Sequence, residues 1–258
     1  MLGHKALAKL DRKKFREEYS VFLVEGKKGV MDALEAGAEV EELVMTDRFV
    51  HEQREFCQHT KVRSFFDTHK VLSLSDGSFV QLADTTTPQG VLAVVKMPQL
   101  ALSSLLSGKT LAILDDVRDP GNVGTIIRTA DWFGIDGLIF AGGADPYQPK
   151  VVRASMGSLF HMPLYVSEDI LEDLKELKSS GFKLVVTRPE LADLPSTALP
   201  NSEKLCVIFG NESHGTSDEV DALADQAFGL PRFGKAESLN VAVSFGLVMY
   251  ELKKTTRT

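Results

Sequence analysis

The chain has only two cysteines in 258 residues, Cys57 and Cys206, far apart and outside any CxxC spacing. That excludes a disulfide framework and a cysteine-based zinc site, and no metal is called for. No apolar run comes near the roughly 20 residues that a membrane span needs. The first eighteen residues, MLGHKALAKLDRKKFREE, are basic and amphipathic, without the apolar core of a signal peptide. A cytoplasmic location is therefore expected. There is no internal repeat and no low-complexity tract. The GxGxxG spacing of a dinucleotide-binding loop is also missing, and no acidic residue closes a second strand where such a protein needs one.

Apolar residues make up 43% and charged residues 25% of the chain. That is a globular composition, with material for one large domain or two ordinary ones. The net charge of −7 does not by itself point to a nucleic-acid partner. Its distribution is uneven, however. Residues 1–16 hold Lys5, Lys9, Arg12, Lys13, Lys14 and Arg16 against Asp11 alone. A basic segment on an acidic body suits either a phosphate-contacting arm or a solvated helix face.

Short apolar runs alternate with helical patterns through the first half. VFLVEG (21–26) reads as a strand and KKGVMDALEAG (27–37) as a helix stopped by glycine. VEELVMT (40–46), VRSFF (62–66) and GVLAVV (90–95) read as further strands, with a polar helical stretch near 50–58. KMPQLALSSLLSGK (96–109) reads as a linker around a short helix. Longer apolar strands follow at 110–117, 137–143, 162–166, 183–187, 204–210 and 226–231, with helical segments between most of them. Continuous apolar strands suit a parallel sheet covered on both faces. The last helix, from about Ser238 to Lys253, is apolar nearly all round and should be buried between the sheet and another element, such as a second subunit.

Three segments of the second half carry chemistry-bearing residues. In DPGNVGTIIRTADWFG (119–134), Pro120-Gly121 is expected to turn the chain and Asn122 to cap a helix. That helix has an apolar stripe of Val123, Ile126, Ile127, Ala130 and Phe133. Arg128 falls opposite the stripe, with Thr125 and Trp132 on its flanks. A tryptophan on a nominally wet face suggests that the face is covered, most simply by a second protomer. In VIFGNESHGTSDEV (207–220), a buried strand runs into Gly210, Asn211 and Glu212. This places a carboxylate at the C-terminal edge of the sheet, where open α/β sheets build their sites. His214 reads as a surface loop histidine. In LPRFGKAESLNVAVSFG (230–246), Gly234 bends a loop, Ser238 can cap the last helix, and Asn240 needs a partner for its amide among apolar neighbours.

Together and in this order, NVGTIIRTADWFG, FGNESHG and LPRFGKAESLNVAVS resemble the three motifs of the SpoU–TrmH family of RNA ribose 2′-O-methyltransferases, in the SPOUT superfamily. VVRASMGSLFHMPL (151–164) is similar to the segment between the family's first two motifs. FLVEGKKGVMDALEAG and TPQGVLAVV resemble its N-terminal, ribosomal-protein-like substrate-binding domain. The resemblance implies an α/β architecture. A C-terminal parallel-sheet domain with a deep trefoil knot, residues 110–258, would follow a small N-terminal α/β domain with its basic arm, residues 1–97, across a linker at 98–109.

It further implies S-adenosylmethionine as cofactor. Gly210, Leu230 and Leu239 would hold it, with Thr187, Asn211, Glu212 and Ser238 nearby. Arg128 would be the essential residue of the reaction, with Asn122, Glu212, Ser238 and Asn240 shaping the catalytic pocket. A guanidinium gives up its proton only at high cost, which makes it a poor base and a good phosphate grip, so Arg128 is expected to clamp the substrate's phosphate. Ser213-His214 and Arg232-Phe233 stand at variable positions where the family often has small or apolar residues, and Arg232 and Lys235 would join the N-terminal cations in meeting RNA. The expected partners are RNA and a second copy of the chain, joined through the C-terminal domain. The extra N-terminal domain favours 23S ribosomal RNA as substrate over transfer RNA. A non-catalytic ribosome assembly factor is the remaining alternative.

Overall fold

The structure, a computed structural model, describes residues 2–69, 71–193, 199–200 and 202–255. The first elements in chain order are α1 (His4–Leu7), α2 (Lys13–Tyr19), β1 (Val21–Glu25), α3 (Lys27–Glu35), β2 (Val40–Thr46), α4 (Asp47–Glu52), α5 (Arg54–Gln58), α6 (Thr60–Thr68), β3 (Val71–Leu74), α7 (Asp76–Val80) and β4 (Val91–Lys96). There follow β5 (Thr110–Asp115), α8 (Pro120–Phe133), β6 (Gly137–Ala141), α9 (Pro149–Ala154), β7 (Leu164–Val166), α10 (Ile170–Ser179), β8 (Lys183–Thr187), β9 (Leu205–Phe209), α11 (Asp218–Leu223), β10 (Gln226–Phe228) and α12 (Val241–Thr255). They form two compact units: residues 1–98 with 147–161, and residues 99–146 with 162–258.

The first unit is built on a four-stranded sheet in the order β1-β4-β2-β3. β4 runs antiparallel to both neighbours, and β2 and β3 are parallel. Leu7, Leu10, Val21, Leu23, Val44, Phe79, Leu92 and Val94 share one buried cluster on it. VRSFF is not a strand but lies within α6. Val62 and Phe65 are buried at helical spacing while Arg63 and Ser64 face water, so the 3.6-residue period wins over the short apolar run. Residues 147–161 also belong here: Tyr147 packs its ring 5.0 Å from that of Phe22 on β1, and α9 lies against the same strand. At the N-terminus, Arg16 is 2% exposed and donates to the carbonyls of Leu10 (2.7 Å) and Asp11 (2.9 Å). It ties the turn between α1 and α2, so the outward cations of this segment are Lys5, Lys9, Arg12, Lys13 and Lys14.

The second unit carries a six-stranded sheet, β10-β8-β9-β5-β6-β7, in which every pair is parallel. Its central strands are buried along their length, which is why their sequences are runs rather than alternations of apolar residues. Leu111, Ile113, Leu184 and Ile208 face a cluster that includes Leu174 and Leu177 of α10 and Val220 of α11. Leu102 and Leu105, from a short 3-10 turn within 99–109, are buried in that same cluster. On the other face, Phe209 meets Phe245 of α12 at 5.0 Å, and α12 runs along α8.

Helix starts and stops in this unit follow local chemistry. The cap of α8 is Asp119, not Asn122: its carboxylate accepts the Asn122 N–H at 2.8 Å, and Pro120 occupies the first helical turn. Gly134, at φ 60, ends the helix in the left-handed region. α12 begins at Val241, later than the sequence suggests, and its cap is Asn240 rather than Ser238. The Asn240 Oδ1 accepts from the N–H groups of Ala242 (2.9 Å) and Val243 (3.3 Å). Among the described residues, no helix is long and apolar enough to cross a membrane.

Candidate active site

Three loops of the second unit leave the C-terminal edge of the parallel sheet: residues 116–119 after β5, 210–217 after β9 and 229–240 after β10. The second is folded back on itself. Asn211 and Gly215 exchange backbone hydrogen bonds of 3.0 and 2.9 Å, and Gly215 takes φ +72. Asn211, 8% exposed, holds this loop to the first by donating from Nδ2 to the Asp116 carbonyl at 2.9 Å. Its Oδ1 accepts the Ser213 N–H at 2.8 Å. From the far side Arg188 pairs with Asp221, whose other oxygen accepts the Thr216 hydroxyl at 2.5 Å. Both ends of the loop are therefore fixed by side chains, Asn211 at one and the Arg188–Asp221 pair, which no local sequence pattern marks, at the other.

The third loop is joined to the other two by a chain of amides. Asn240 Nδ2 donates to Asn122 Oδ1 at 2.8 Å, and Asn122 Nδ2 donates to Glu212 Oε1 at 3.1 Å. The direction of this chain is set from both ends. The Asn240 oxygen must face the two N–H groups it caps, which turns its NH₂ towards Asn122. Glu212, as a carboxylate, can only accept. The Arg118 N–H lies 3.5 Å from the other Glu212 oxygen. Arg118, Asp119, Asn122, Asn211, Glu212, Ser213 and His214 line an open cleft of about 540 Å³. Arg118 turns its guanidinium to Asp116 (2.7 Å), a residue at φ 56, and the His214 Nε2 lies 3.8 Å from the same carboxylate. Beneath them burial pushes the Asp115 carboxyl above its ordinary range. No cluster of metal-ligating side chains occurs among the described residues.

Arg128 stands apart from this cluster. It is exposed on α8 beside Thr125 and Trp132, and it makes no hydrogen bond or ion pair among the described residues. Trp132 is 84% exposed in the single chain. Of the apolar stripe opposite, Val123, Ile126, Ile127 and Ala130 are buried and Phe133, in the last turn, is half-buried.

Residues 109–250 match the SpoU rRNA Methylase family, and residues 5–93 match the MRM3-like substrate binding domain. The chain belongs to the SpoU rRNA methylase family. Among its relatives is the 23S rRNA (guanosine(2553)-2'-O)-methyltransferase RlmP of Bacillus subtilis, 34% identical over 95% of this chain and 93% of that protein. The 23S rRNA (uridine(2479)-2'-O)-methyltransferase of Streptomyces viridochromogenes is 30% identical over 95% of this chain and 86% of its own length. The crystal structure of the SpoU methyltransferase AviRb from the same organism, in complex with AdoMet, superimposes with a TM-score of 0.83. It is 27% identical and covers 99% of this chain and 98% of AviRb.

The family assignment gives the remaining candidates their context. Thr187 ends β8 and donates its hydroxyl to the Ile208 carbonyl at 3.1 Å, beside the start of the second loop. Gly210 begins that loop so tightly that a β-carbon there would stand 2.3 Å from the Gly215 carbonyl carbon. Leu230 is half-buried, while Ser238, Leu239, Arg232 and Lys235 lie in a loop exposed from Pro231 to Asn240. A β-carbon added at Gly234 would meet nothing within 4 Å, so this glycine is no tight turn of the Gly210 kind. Leu239, 52% exposed, is a large apolar side chain left uncovered next to Asn240 in sequence. Sequence reasoning passed over Asp116, Arg118, Asp119 and the Arg188–Asp221 pair. Of these only Asp119 carried a readable signal, an acidic cap directly before proline.

Proposed function

We propose that this chain methylates a ribose 2′-hydroxyl of 23S ribosomal RNA with S-adenosylmethionine as donor. The observation that carries the reading is the junction of the three motif loops at the sheet edge through Asn240, Asn122 and Glu212. Full-length similarity to two 23S rRNA 2′-O-methyltransferases supports the choice of RNA. The residues present suit the cofactor: apolar side chains at Leu230 and Leu239, the Thr187 strand end, and bare backbone at Gly210 are what an adenosine pocket needs. When bound, S-adenosylmethionine supplies an electrophilic methyl group on a sulfonium. On this reading the loop from Leu230 to Asn240 is the threaded segment of a trefoil knot.

The chain's own task is then to bring a weak nucleophile into line. Arg128 grips a phosphate of the target strand bidentately, and having no partner among the described residues leaves its donors for that purpose. Glu212, held in place by Asn122, accepts a hydrogen bond from the hydroxyl and orients it. Ser238, two residues before Asn240 on the same exposed loop, is assigned to the substrate side of this site. Lys5, Lys9, Arg12, Lys13, Lys14, Arg232 and Lys235 supply sequence-independent contacts to the RNA backbone. A second copy of the chain covers Trp132 together with Val243, Leu247 and Tyr250, which are spaced along one exposed face of α12. The expected setting is the cytoplasm, where ribosomal RNA is found. Methyl transfer by Arg128→Lys and Arg128→Ala tests the clamp. Both should lose at least about tenfold in turnover with cofactor affinity unchanged, and near-normal turnover in both would remove Arg128 from the reaction.

A further inference from the structure

Phe233 is 98% exposed, more than any other large apolar residue described. It contributes nothing to the core, and its ring is open to solvent on a loop that is anchored at both ends. Its position is defined. The loop that carries it is anchored at Gly229, where a β-carbon would stand 2.6 Å from Leu191 Cβ and 3.0 Å from the Arg188 carbonyl. It is anchored again at Asn240, through the 2.8 Å bond to Asn122. Between these points Arg232 reaches the Ala236 carbonyl at 3.4 Å, closing a turn with Phe233 and Gly234 at its tip. Nothing lies within 4 Å of a β-carbon placed on Gly234, so the tip stands in solvent. The ring is flanked by Arg232 and by Lys235, also exposed.

We propose that Phe233 is a stacking platform for an unpaired base of the RNA substrate, carried on the loop that Asn240 ties to Asn122 and Glu212. The inference rests on the RNA-methyltransferase reading and specifies how the substrate is held. Chemistry at a ribose hydroxyl buried in a cleft requires a nucleotide drawn out of a helix, and its unstacked neighbour needs a new surface. An aromatic face offers that surface to any base, while adjacent cations hold the phosphates on either side. The arrangement selects single-stranded or bulged RNA over duplex.

The test compares Phe233→Ala, Phe233→Trp and Phe233→Tyr with the unaltered protein. Binding is followed by the fluorescence of a short single-stranded RNA containing 2-aminopurine, which stacking quenches. Cofactor affinity and oligomeric state are measured alongside. Phe233→Ala should weaken RNA binding by about 5- to 150-fold, the range for one lost base stack, and abolish the quenching. Phe233→Trp and Phe233→Tyr should restore both, with cofactor affinity and oligomeric state unchanged throughout. Unaltered RNA affinity in Phe233→Ala overturns the proposal. So does a parallel loss of cofactor affinity, which would make the ring a wall of the cofactor site, or dissociation into single chains, which would make it an interface residue. The binding measurement needs no turnover. If the unaltered protein binds RNA with quenching yet transfers no methyl, the catalytic reading fails and the platform stands.

Discussion

Replacing Gly210 by alanine puts the geometry of the second loop under direct strain. The added β-carbon would lie 2.3 Å from the Gly215 carbonyl carbon, 2.4 Å from the Thr216 nitrogen and 2.7 Å from the Gly215 oxygen. All three are backbone atoms, with no flexible side chain to move aside. Ordinary contact begins near 3.4 Å, so the two arms of the loop must part by about 1 Å. That separation breaks the Asn211–Gly215 exchange, two hydrogen bonds worth roughly 1 kcal/mol each. Overpacking adds about 1–3 kcal/mol, so the total is about 3–5 kcal/mol, or a fall in melting temperature of order 10 °C. A shift of about 1 Å in the loop bearing Glu212 should cost turnover about 100-fold. Thermal unfolding and transfer of labelled methyl groups to RNA read the two effects, with Gly234→Ala, which meets nothing within 4 Å, as the control. Gly210→Ala behaving like Gly234→Ala in both assays would refute the reasoning.

Three other substitutions probe separate contacts. Asn240→Asp keeps an oxygen for the α12 cap but presents only acceptors to Asn122 Oδ1, forcing that amide to turn its oxygen towards Glu212. It should hold stability within about 1 kcal/mol in urea unfolding, whereas turnover falls at least about tenfold; equal effects on both would contradict the direction of these hydrogen bonds. Arg188→Met leaves the Asp221 carboxylate with Thr216 as its remaining partner in the clamp and should cost about 1.5–3 kcal/mol, read by thermal unfolding, with weakened cofactor binding. Asp225 supplies a pH dependence. Burial raises its pKa, but the Leu184 N–H and Lys178 outweigh that, and the carboxyl sits below its ordinary 3.8. The folded chain thus binds its proton less readily than the unfolded one, and the stabilisation is present above the unfolded pKa and lost as pH falls through the folded one. The stability gap between the unaltered protein and Asp225→Asn should be full at neutral pH and should shrink as the pH falls below the ordinary carboxylate value of 3.8.

Much of the second unit was legible because buried parallel strands leave continuous apolar runs, as in TLAILD and LCVIF. The α8 stripe was equally plain from its period. The errors arose where two local signals competed. VRSFF has the composition of a strand, but its buried pair, Val62 and Phe65, is three residues apart and therefore helical. Asn122 looked like a cap because it precedes the apolar stripe, yet Asp119 before Pro120 takes that place and releases the Asn122 side chain for the site. Charge counting placed Arg16 with its basic neighbours, although its guanidinium is spent on backbone carbonyls. The three motif segments were visible one by one and in order. Their joining was not, since Asn240 and Asn122 are 118 residues apart and no periodicity spans that distance.

The most direct measurement of the central claim is the position of the transferred methyl group. Purified protein, labelled S-adenosylmethionine and 23S ribosomal RNA lacking the modification should give label at one nucleotide. Alkaline hydrolysis should then leave that label in a resistant dinucleotide, because a 2′-O-methyl group blocks cleavage at its own phosphodiester. Label recovered on a base, or no transfer to ribosomal RNA while the cofactor binds, would contradict ribose methylation by this chain.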